Sequence, residues 1–287
     1  MPVQLAHHLG DAAPYSYRSS TLSVHEQTIE RVIGAMHEHM SAPLALEEMA
    51  EIACLSPFHF NRMFRSLIGI PPGEFLSALR MDAAKRLLLT TSLSVTDVCF
   101  ELGYASLGTF TTRFKQLVGL SPLQLRLLAG EIDLSTLAAL LDERRERRHA
   151  LSLSTVSDHG VRGTIAVPAP FDGLIFAGLF PKPVPQGRPV ACTTLDAPGR
   201  FQIAPVPDGR YYLLAAAVPR SRISLLSDAA PRVGVAERPV VVSDGRADAT
   251  VDLVLRPRRP VDPPILGVFP PLLASRATLR AREYVYA

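Results

Sequence analysis

Two kinds of apolar spacing divide this chain. From about Val24 to Ala129 hydrophobic residues recur at helical intervals; from Val161 onward they alternate or cluster in short blocks bounded by turn residues. Ile29, Val32, Ile33, Met36 and Met40 form one stripe and predict a first helix, which Pro43 ends. Glu47–Ala53 predicts a second. Ser56-Pro57 then supplies a hydroxyl N-cap followed by proline at the first helical position. The third helix is expected from Pro57 to about Ile68, with Gly69 as a left-handed C-terminal cap.

Pro72 to Leu89 predicts a longer helix with Phe75, Leu76, Leu79, Ala83, Leu87 and Leu88 on its apolar face. Ser94 and Asp97 resemble a capping box and open a fifth helix, which Gly103 closes. Ser106 caps a sixth, Gly119 ends it, and Ser121-Pro122 starts a seventh that runs to about Ala129. Residues 1–22 show no clear period and read as a loose leader, leaving 23–130 as the helical domain. Residues 131–157 read as a helical connector; its Glu143–His149 charge cluster is read as a solvated face in preference to a phosphate contact.

The helical domain contains a duplication. Residues 46–72 and 96–122 correspond at an offset of fifty: Phe60 with Phe110, Phe64 with Phe114, Gly69 with Gly119, Pro72 with Pro122, and upstream Glu51 with Glu101. Each copy reads as short helix, tight turn, second helix. That is a DNA-reading unit, and two in tandem place two reading helices on one duplex.

Beyond Val161 the expected strands are Val161–Val167, Leu174–Phe180, Val190–Leu195, Arg200–Ala204, Tyr211–Val218, Pro239–Ser243 and Ala249–Leu255, with a further one at Leu279–Tyr286. Pro207-Asp-Gly209 and Asp244-Gly245 mark turns. This spacing predicts an all-β, sandwich-like domain over 158–287. The fold class is therefore a seven-helix tandem helix-turn-helix domain followed by a β-sandwich.

Composition narrows the picture. The net charge of +3 over 287 residues is only mildly basic, and residues 25–130 hold nine Lys/Arg against ten Asp/Glu. DNA binding by the helical half must rest on a one-sided charge distribution. Cys54, Cys99 and Cys192 have no disulfide or metal spacing, which points to a reducing cytoplasm; Cys54 and Cys99 read as core. No signal peptide and no membrane span are expected. No metal, cofactor or catalytic residue is expected: His37 and His39 do not share a helix face, His59 reads as a packing residue, and Cys192 lacks activating neighbours.

A helix in the major groove must show base-reaching side chains on one face while the other packs. On the third helix the outward positions near the start are Phe58, Asn61 and Arg62, suited to a thymine methyl, adenine and guanine; Arg65 suits phosphate. On the sixth helix the outward set is Leu107, Gly108, Thr111 and Thr112, which is small or apolar, with Arg113 and Lys115 as phosphate candidates. The helix N-termini capped by Ser56 and Ser106 are further phosphate candidates.

Leu-Ser-Pro-Phe-His-Phe-Asn-Arg-Met-Phe-Arg (55–65), Gly-Tyr-Ala-Ser-Leu-Gly-Thr-Phe-Thr-Thr-Arg-Phe-Lys (103–115) and Gly-Leu-Ser-Pro (119–122) resemble the DNA-binding domain of the AraC/XylS family of transcription regulators. The resemblance covers about a third of the chain. It implies seven helices binding DNA as one unit, both recognition helices in successive major grooves, and the groove-facing residues just named. It also implies double-stranded DNA and RNA polymerase as partners.

This sequence departs from the family at Ala45, where a capping Ser or Thr is usual, at Pro71, which stands opposite Ser121, and at Leu107-Gly108. The family's sensory domain commonly precedes the DNA-binding domain; here the extra domain follows. Residues 199–215 resemble the turn-and-strand segment of transthyretin-like or carboxypeptidase-regulatory-like sandwiches. Sensing a small-molecule effector, binding a protein partner, and simple stabilisation remain open as its role. The competing reading is a β-sandwich binding protein whose helical half is an interaction platform.

Overall fold

The computed structural model describes residues 15–131, 159–219 and 232–267. Seven helices come first: α1 (Tyr15–Glu38), α2 (Leu46–Ile52), α3 (Pro57–Ile68), α4 (Pro72–Thr90), α5 (Val95–Glu101), α6 (Leu107–Val118) and α7 (Pro122–Glu131). α1 starts at Tyr15, inside the segment whose sequence reads as a loose leader. Of the expected connector over 131–157, Glu131 ends α7; the rest of it and the strand expected at Leu279–Tyr286 lie outside the described residues.

The duplicated units pack into two cores. Ile29, Val32 and Met36 of α1 meet Met49, Phe60, Phe64 and Phe75 in the first. Met81, Val98, Cys99, Phe110, Phe114 and Leu125 form the second. The aromatic pairs are equivalent: Phe60–Phe64 at 5.7 Å and Phe110–Phe114 at 5.8 Å between ring centroids.

α4 belongs to both cores. Phe75, Leu76 and Leu79 face the first, while Ala78, Met81, Ala84 and Leu88 face the second. Its apolar residues are therefore spread over more than the single stripe expected. Arg80 of α4 donates to the carbonyls of Met40 (2.7 Å) and Ala42 (2.8 Å), and so closes the chain leaving α1. Arg126 of α7 does the same for α4 at Leu88 and Leu93.

Ten strands follow among the described residues: β1 (Val161–Ala166), β2 (Gly173–Phe180), β3 (Ala191–Leu195), β4 (Gly199–Ile203), β5 (Gly209–Pro219), β6 (Arg232–Val235), β7 (Val240–Ser243), β8 (Arg246–Ala247), β9 (Leu253–Val254) and β10 (Arg256–Pro257). One sheet has the order β4-β1-β9; the other has the order β10-β6-β5-β2-β3, with β7 paired to β5 and β8 to β7. The pairings are antiparallel except β1 with β9, where Ile165 faces Leu253. Six expected strands appear close to their predicted bounds. The expected strand Ala249–Leu255 shrinks to Leu253–Val254: Val251 N still donates to the Arg162 carbonyl at 3.0 Å, but the Thr164 N–H is taken by the Asp252 carboxylate at 3.0 Å and not by a backbone carbonyl. The apolar pattern does not predict β6, β8 or β10; each is only two to four residues long, too short for a legible alternation.

Val161, Ile165, Phe201, Ile203 and Leu253 of the smaller sheet pack against Ile175, Leu179, Leu213, Ala215 and Val242 of the larger one. The reverse face of the larger sheet is also apolar. Every residue of β2 is buried, and Phe176, Phe180 and Leu214 form a second cluster there. A strand buried on both faces reads as a continuous apolar run, which Gly173–Phe180 does.

That second face is covered by two segments that join the β domain to the helices. In the loop between β2 and β3, Val184 belongs to the first helical core. After β10 a strap over 258–267 contributes Val261 to the first core and Leu266 to the second. Lys85 on α4, only 1% exposed, donates from Nζ to the Ile265 carbonyl at 3.2 Å. The strap is held by Arg256, whose Nη1 reaches Asp262 Oδ2 at 2.7 Å. Burial pushes the Asp262 carboxyl up, but hydrogen bonds from Arg256 and the Arg259 backbone, with both positive charges, outweigh it and leave it below the ordinary carboxylate range. Surface pairs Lys182–Glu74 (3.1 Å) and Arg259–Glu26 (3.5 Å) also cross between the domains. Exposed pairs of this kind contribute about 0–1 kcal/mol each.

Candidate nucleic-acid interface

The duplicated units are set by their turns. After α2, Cys54 N donates to Glu51 O and Leu55 N to Ala50 O; after α5, Gly103 N donates to Phe100 O and Tyr104 N to Cys99 O. The two turns match in hydrogen bonding at an offset one shorter than fifty, and so do the buried pairs Met49-Ala50 and Val98-Cys99. α3 and α6 return to the full fifty. The second unit therefore carries one extra residue just before Ser106, and the apparent match of Glu51 to Glu101 is not a structural one. Both turns need a left-handed residue: Gly103 has φ 74°, and Cys54 adopts φ 56° without glycine's freedom. A side chain at 103 would run into the Ser41 carbonyl. Cys54 is exposed, contrary to its expected core position, whereas Cys99 is buried, which pushes its thiol pKa up.

α3 and α6 are built alike. Ser56 Oγ accepts from His59 N and Ser106 Oγ from Thr109 N, each at 3.4 Å. Those two amides are thus taken by the caps. Gly69 (φ 90°) and Gly119 (φ 91°) close the helices. Upstream, Ala45 offers no side-chain acceptor, but Glu48 still accepts from Ala45 N at 2.6 Å, which preserves half of the capping box on α2. α5 has the whole box: Ser94 and Asp97 exchange bonds, and those hydrogen bonds hold the Asp97 carboxyl below its ordinary pKa. Pro71 gives α4 no side-chain cap, while Ser121 and Gln124 cap α7 reciprocally.

Phe60, Met63, Phe64 and Ile68 are buried on α3, and Phe58 (78% exposed), Arg62 and Arg65 lie on the opposite, solvent-facing side. Asn61 is half-buried at the margin. On α6 the buried set is Phe110, Phe114, Leu117 and Val118; Gly108, Thr112 and Lys115 are exposed, and Thr111 is half-buried where Asn61 is. Leu107 (40% exposed) is at the first helical position, matching Pro57. Arg113 departs from expectation. It occupies the position of buried Met63, is half-buried, and donates Nε to Ser77 Oγ on α4 at 3.0 Å. It braces α6 against the central helix. His59, expected to pack, is exposed.

α3 and α6 contain no carboxylate, whereas Glu47, Glu48 and Glu51 are on α2 and Asp97 and Glu101 on α5. The nearly neutral helical domain thus keeps its acids off the two outward helices.

Residues 49–127 match the family described as Helix-turn-helix domain. This assigns the helical half to the helix-turn-helix DNA-binding proteins. Within that class the helical half is an AraC-type DNA-binding domain, of the kind carried by transcription regulators.

The transcriptional activator AarP of Providencia stuartii is 29% identical over 114 residues, which are 40% of this chain and 84% of AarP. An HTH-type transcriptional regulator of Staphylococcus aureus is 27% identical over 124 residues, 43% of this chain but only 17% of its own length. Among solved structures, the C-terminal domain of the response regulator AraT from Geobacillus stearothermophilus is 33% identical, covering 35% of this chain and 84% of that one (TM-score 0.34). The DNA-binding domain of the transcriptional factor AdpA, solved with a target DNA, is 32% identical, covering 35% of this chain and 91% of that one (TM-score 0.34). These matches each cover well under half of the chain.

The β domain approaches this interface from behind. Pro183 Cγ lies where a side chain on Gly69 would meet it at 3.3 Å, and Arg188 Cγ likewise at Gly119 at 2.9 Å. Gly187 N donates to the otherwise orphaned carbonyl of Leu117 at 2.6 Å. One loop thus touches the C-terminal turns of both outward helices. Apolar spacing does not predict this contact; the dense prolines of the Pro181–Pro189 loop are the signal that could have pointed to it.

Proposed function

We propose that the chain binds a specific double-stranded DNA site through α3 and α6 in successive major grooves, in the cytoplasm, with α3 as the stronger reader. The observation that carries this reading is the pair of carboxylate-free outward faces, Phe58-Arg62-Arg65 and Gly108-Thr112-Lys115, on helices whose other ends are held by the β domain. Arg62, with Asn61 beside it, has the donors to select guanine and adenine, and Phe58 offers an apolar face to a thymine methyl. Leu107, Gly108, Thr111 and Thr112 allow close approach with little hydrogen-bond discrimination. Arg65 and Lys115 contact phosphate, aided by the helix starts at Ser56 and Ser106. Arg113 leaves this set, because its inward bond to Ser77 gives it a bracing role.

The β domain is read as a transthyretin-like or carboxypeptidase-regulatory-like sandwich with a regulatory role. Its two facing sheets and the β4–turn–β5 segment support that reading. Contact with RNA polymerase belongs to the same proposal.

Selection of genomic fragments by the full-length protein at about 150 mM salt, where non-specific binding is suppressed, tests the DNA reading. Two boxes about one helical turn apart are expected. A single enriched box would remove base reading from α6, and no enrichment would favour the interaction-platform alternative.

A further inference from the structure

The outer face of the larger sheet is only partly covered. Phe176, Phe180, Leu214 and Val233 form the floor of a groove there. Pro183, Pro185 and Pro189 of the β2–β3 loop form one wall, and Gly119 with Leu120, just past α6, form another. The groove has room for about 80 Å³ and stands open to solvent along one side. It is too small to enclose a separate metabolite, and suits apolar side chains laid in from the open side. Its charged lining residues are Arg188, Arg256 and Asp262, the last two bound to each other. Arg188 is exposed, so its stem lines the groove while its charge stays in water.

Gly267, the last described residue, lies on the rim of this groove. Leu266 N donates to the Pro185 carbonyl at 3.1 Å, which fixes the point of exit beside the proline wall. The sequence continues Val268-Phe269-Pro270-Pro271-Leu272-Leu273-Ala274-Ser275, with no ionisable side chain before Arg276. Left in water, Val268–Leu273 would present a continuous apolar surface. Tethering at the rim makes docking an intramolecular event that costs only local ordering. Pro270 and Pro271 lower that cost by fixing φ at about −65°. Six extended residues reach about 20 Å, the width of four strands.

We propose that Val268–Leu273 of this same chain occupies the groove, with the Phe269 ring against Phe176 and Phe180. An aromatic pair of this kind gains from edge-to-face contact as well as from burial. A second copy or a free ligand would have to give up translational freedom to reach the same surface, and the tethered segment does not. The groove has walls from both halves of the molecule, so the docked segment touches both. It is a third crossing between the domains, after the β2–β3 loop and the strap over 258–267. The inference does not depend on the DNA-binding reading.

The chain contains no tryptophan, so Phe269→Trp in the full-length protein places a single reporter in this segment. Its emission is expected to the blue of a tryptophan in water, with acrylamide quenching several-fold weaker. Val235→Asp, on the groove wall, should return both to water-like values; Val254→Asp, exposed and outside the groove, should leave them unchanged. Leu272→Asp, which alters no residue of the groove, should act as Val235→Asp does. Circular dichroism checks that each variant is folded. Water-like emission from Phe269→Trp alone overturns the proposal, and so does buried emission that neither Val235→Asp nor Leu272→Asp alters. Burial that disappears on dilution would seat the segment on a second copy and overturn docking within the chain.

Discussion

α3 and α6 share a backbone design but not a surface. Both start at a serine cap, bury two phenylalanines one turn apart and end on a left-handed glycine. Their outward residues differ: Phe58, Arg62 and Arg65 on one, Gly108, Thr112 and Lys115 on the other. The comparison separates what a reading helix needs in order to be held from what it needs in order to read. Holding requires a fixed inner face, because a well-packed core accepts few alternatives. Those outward residues, proposed to meet DNA, are exposed to solvent, so they can diverge without cost to the fold.

The largest effects should fall on the shared inner faces. Phe60→Ala and Phe110→Ala are each expected to lose about 3–5 kcal/mol in denaturant unfolding, because each removes a fully buried ring. A large inequality between them would break the equivalence of the two units. Next come the outward faces. Arg62→Ala should cost about 1–3 kcal/mol on the selected site and relax one base pair, whereas Thr112→Ala should cost clearly less. Equal losses on selected and random DNA would remove Arg62 as a base reader.

Arg113→Met restores the residue type of the first unit. Losing the Ser77 bond should lower stability by about 0.5–1.5 kcal/mol while leaving the salt dependence of DNA binding unchanged. Lys115→Ala should do the reverse, flattening the slope of log affinity against log salt by about one unit with little change in stability.

The smallest effect concerns pH. The Asp262 carboxyl is held below its ordinary value, so its contribution to anchoring the strap is complete above about pH 4. It is lost as pH falls further, through the folded-state pKa. Acid unfolding of Asp262→Asn beside the wild type should show the difference between them shrinking only below that pH. A gap that closes nearer neutrality would assign the anchoring to another group.

Much of the helical half is legible in the sequence. Ser56-Pro57, Gly69, Ser106 and Gly119 punctuate helices through local chemistry, and local chemistry is written in adjacent residues. Two of the positions that mislead there do so because the deciding information is not local. The nearly constant offset pairs Glu51 with Glu101 because it masks the inserted residue. Helical spacing turns Arg113 outward because its partner, Ser77, lies thirty-six residues earlier. In the β half, six strands follow from their apolar runs. The unbroken run of Gly173–Phe180 also signals a sheet covered on both faces, which a two-layer sandwich alone does not require.

The sequence by itself determined the duplication, the caps, the inner faces and the residue types on most of the outward faces, because each depends on spacings of a few residues or on one repeated pattern. Only the tertiary structure decided that α4 serves two cores, that Lys85 is buried under a strap 180 positions further along, and that one β-domain loop meets the ends of both α3 and α6. Those contacts join distant segments whose pairing depends on surface shape and on the few hydrogen bonds left unsatisfied by local structure, and no local pattern encodes which segment will arrive to satisfy them.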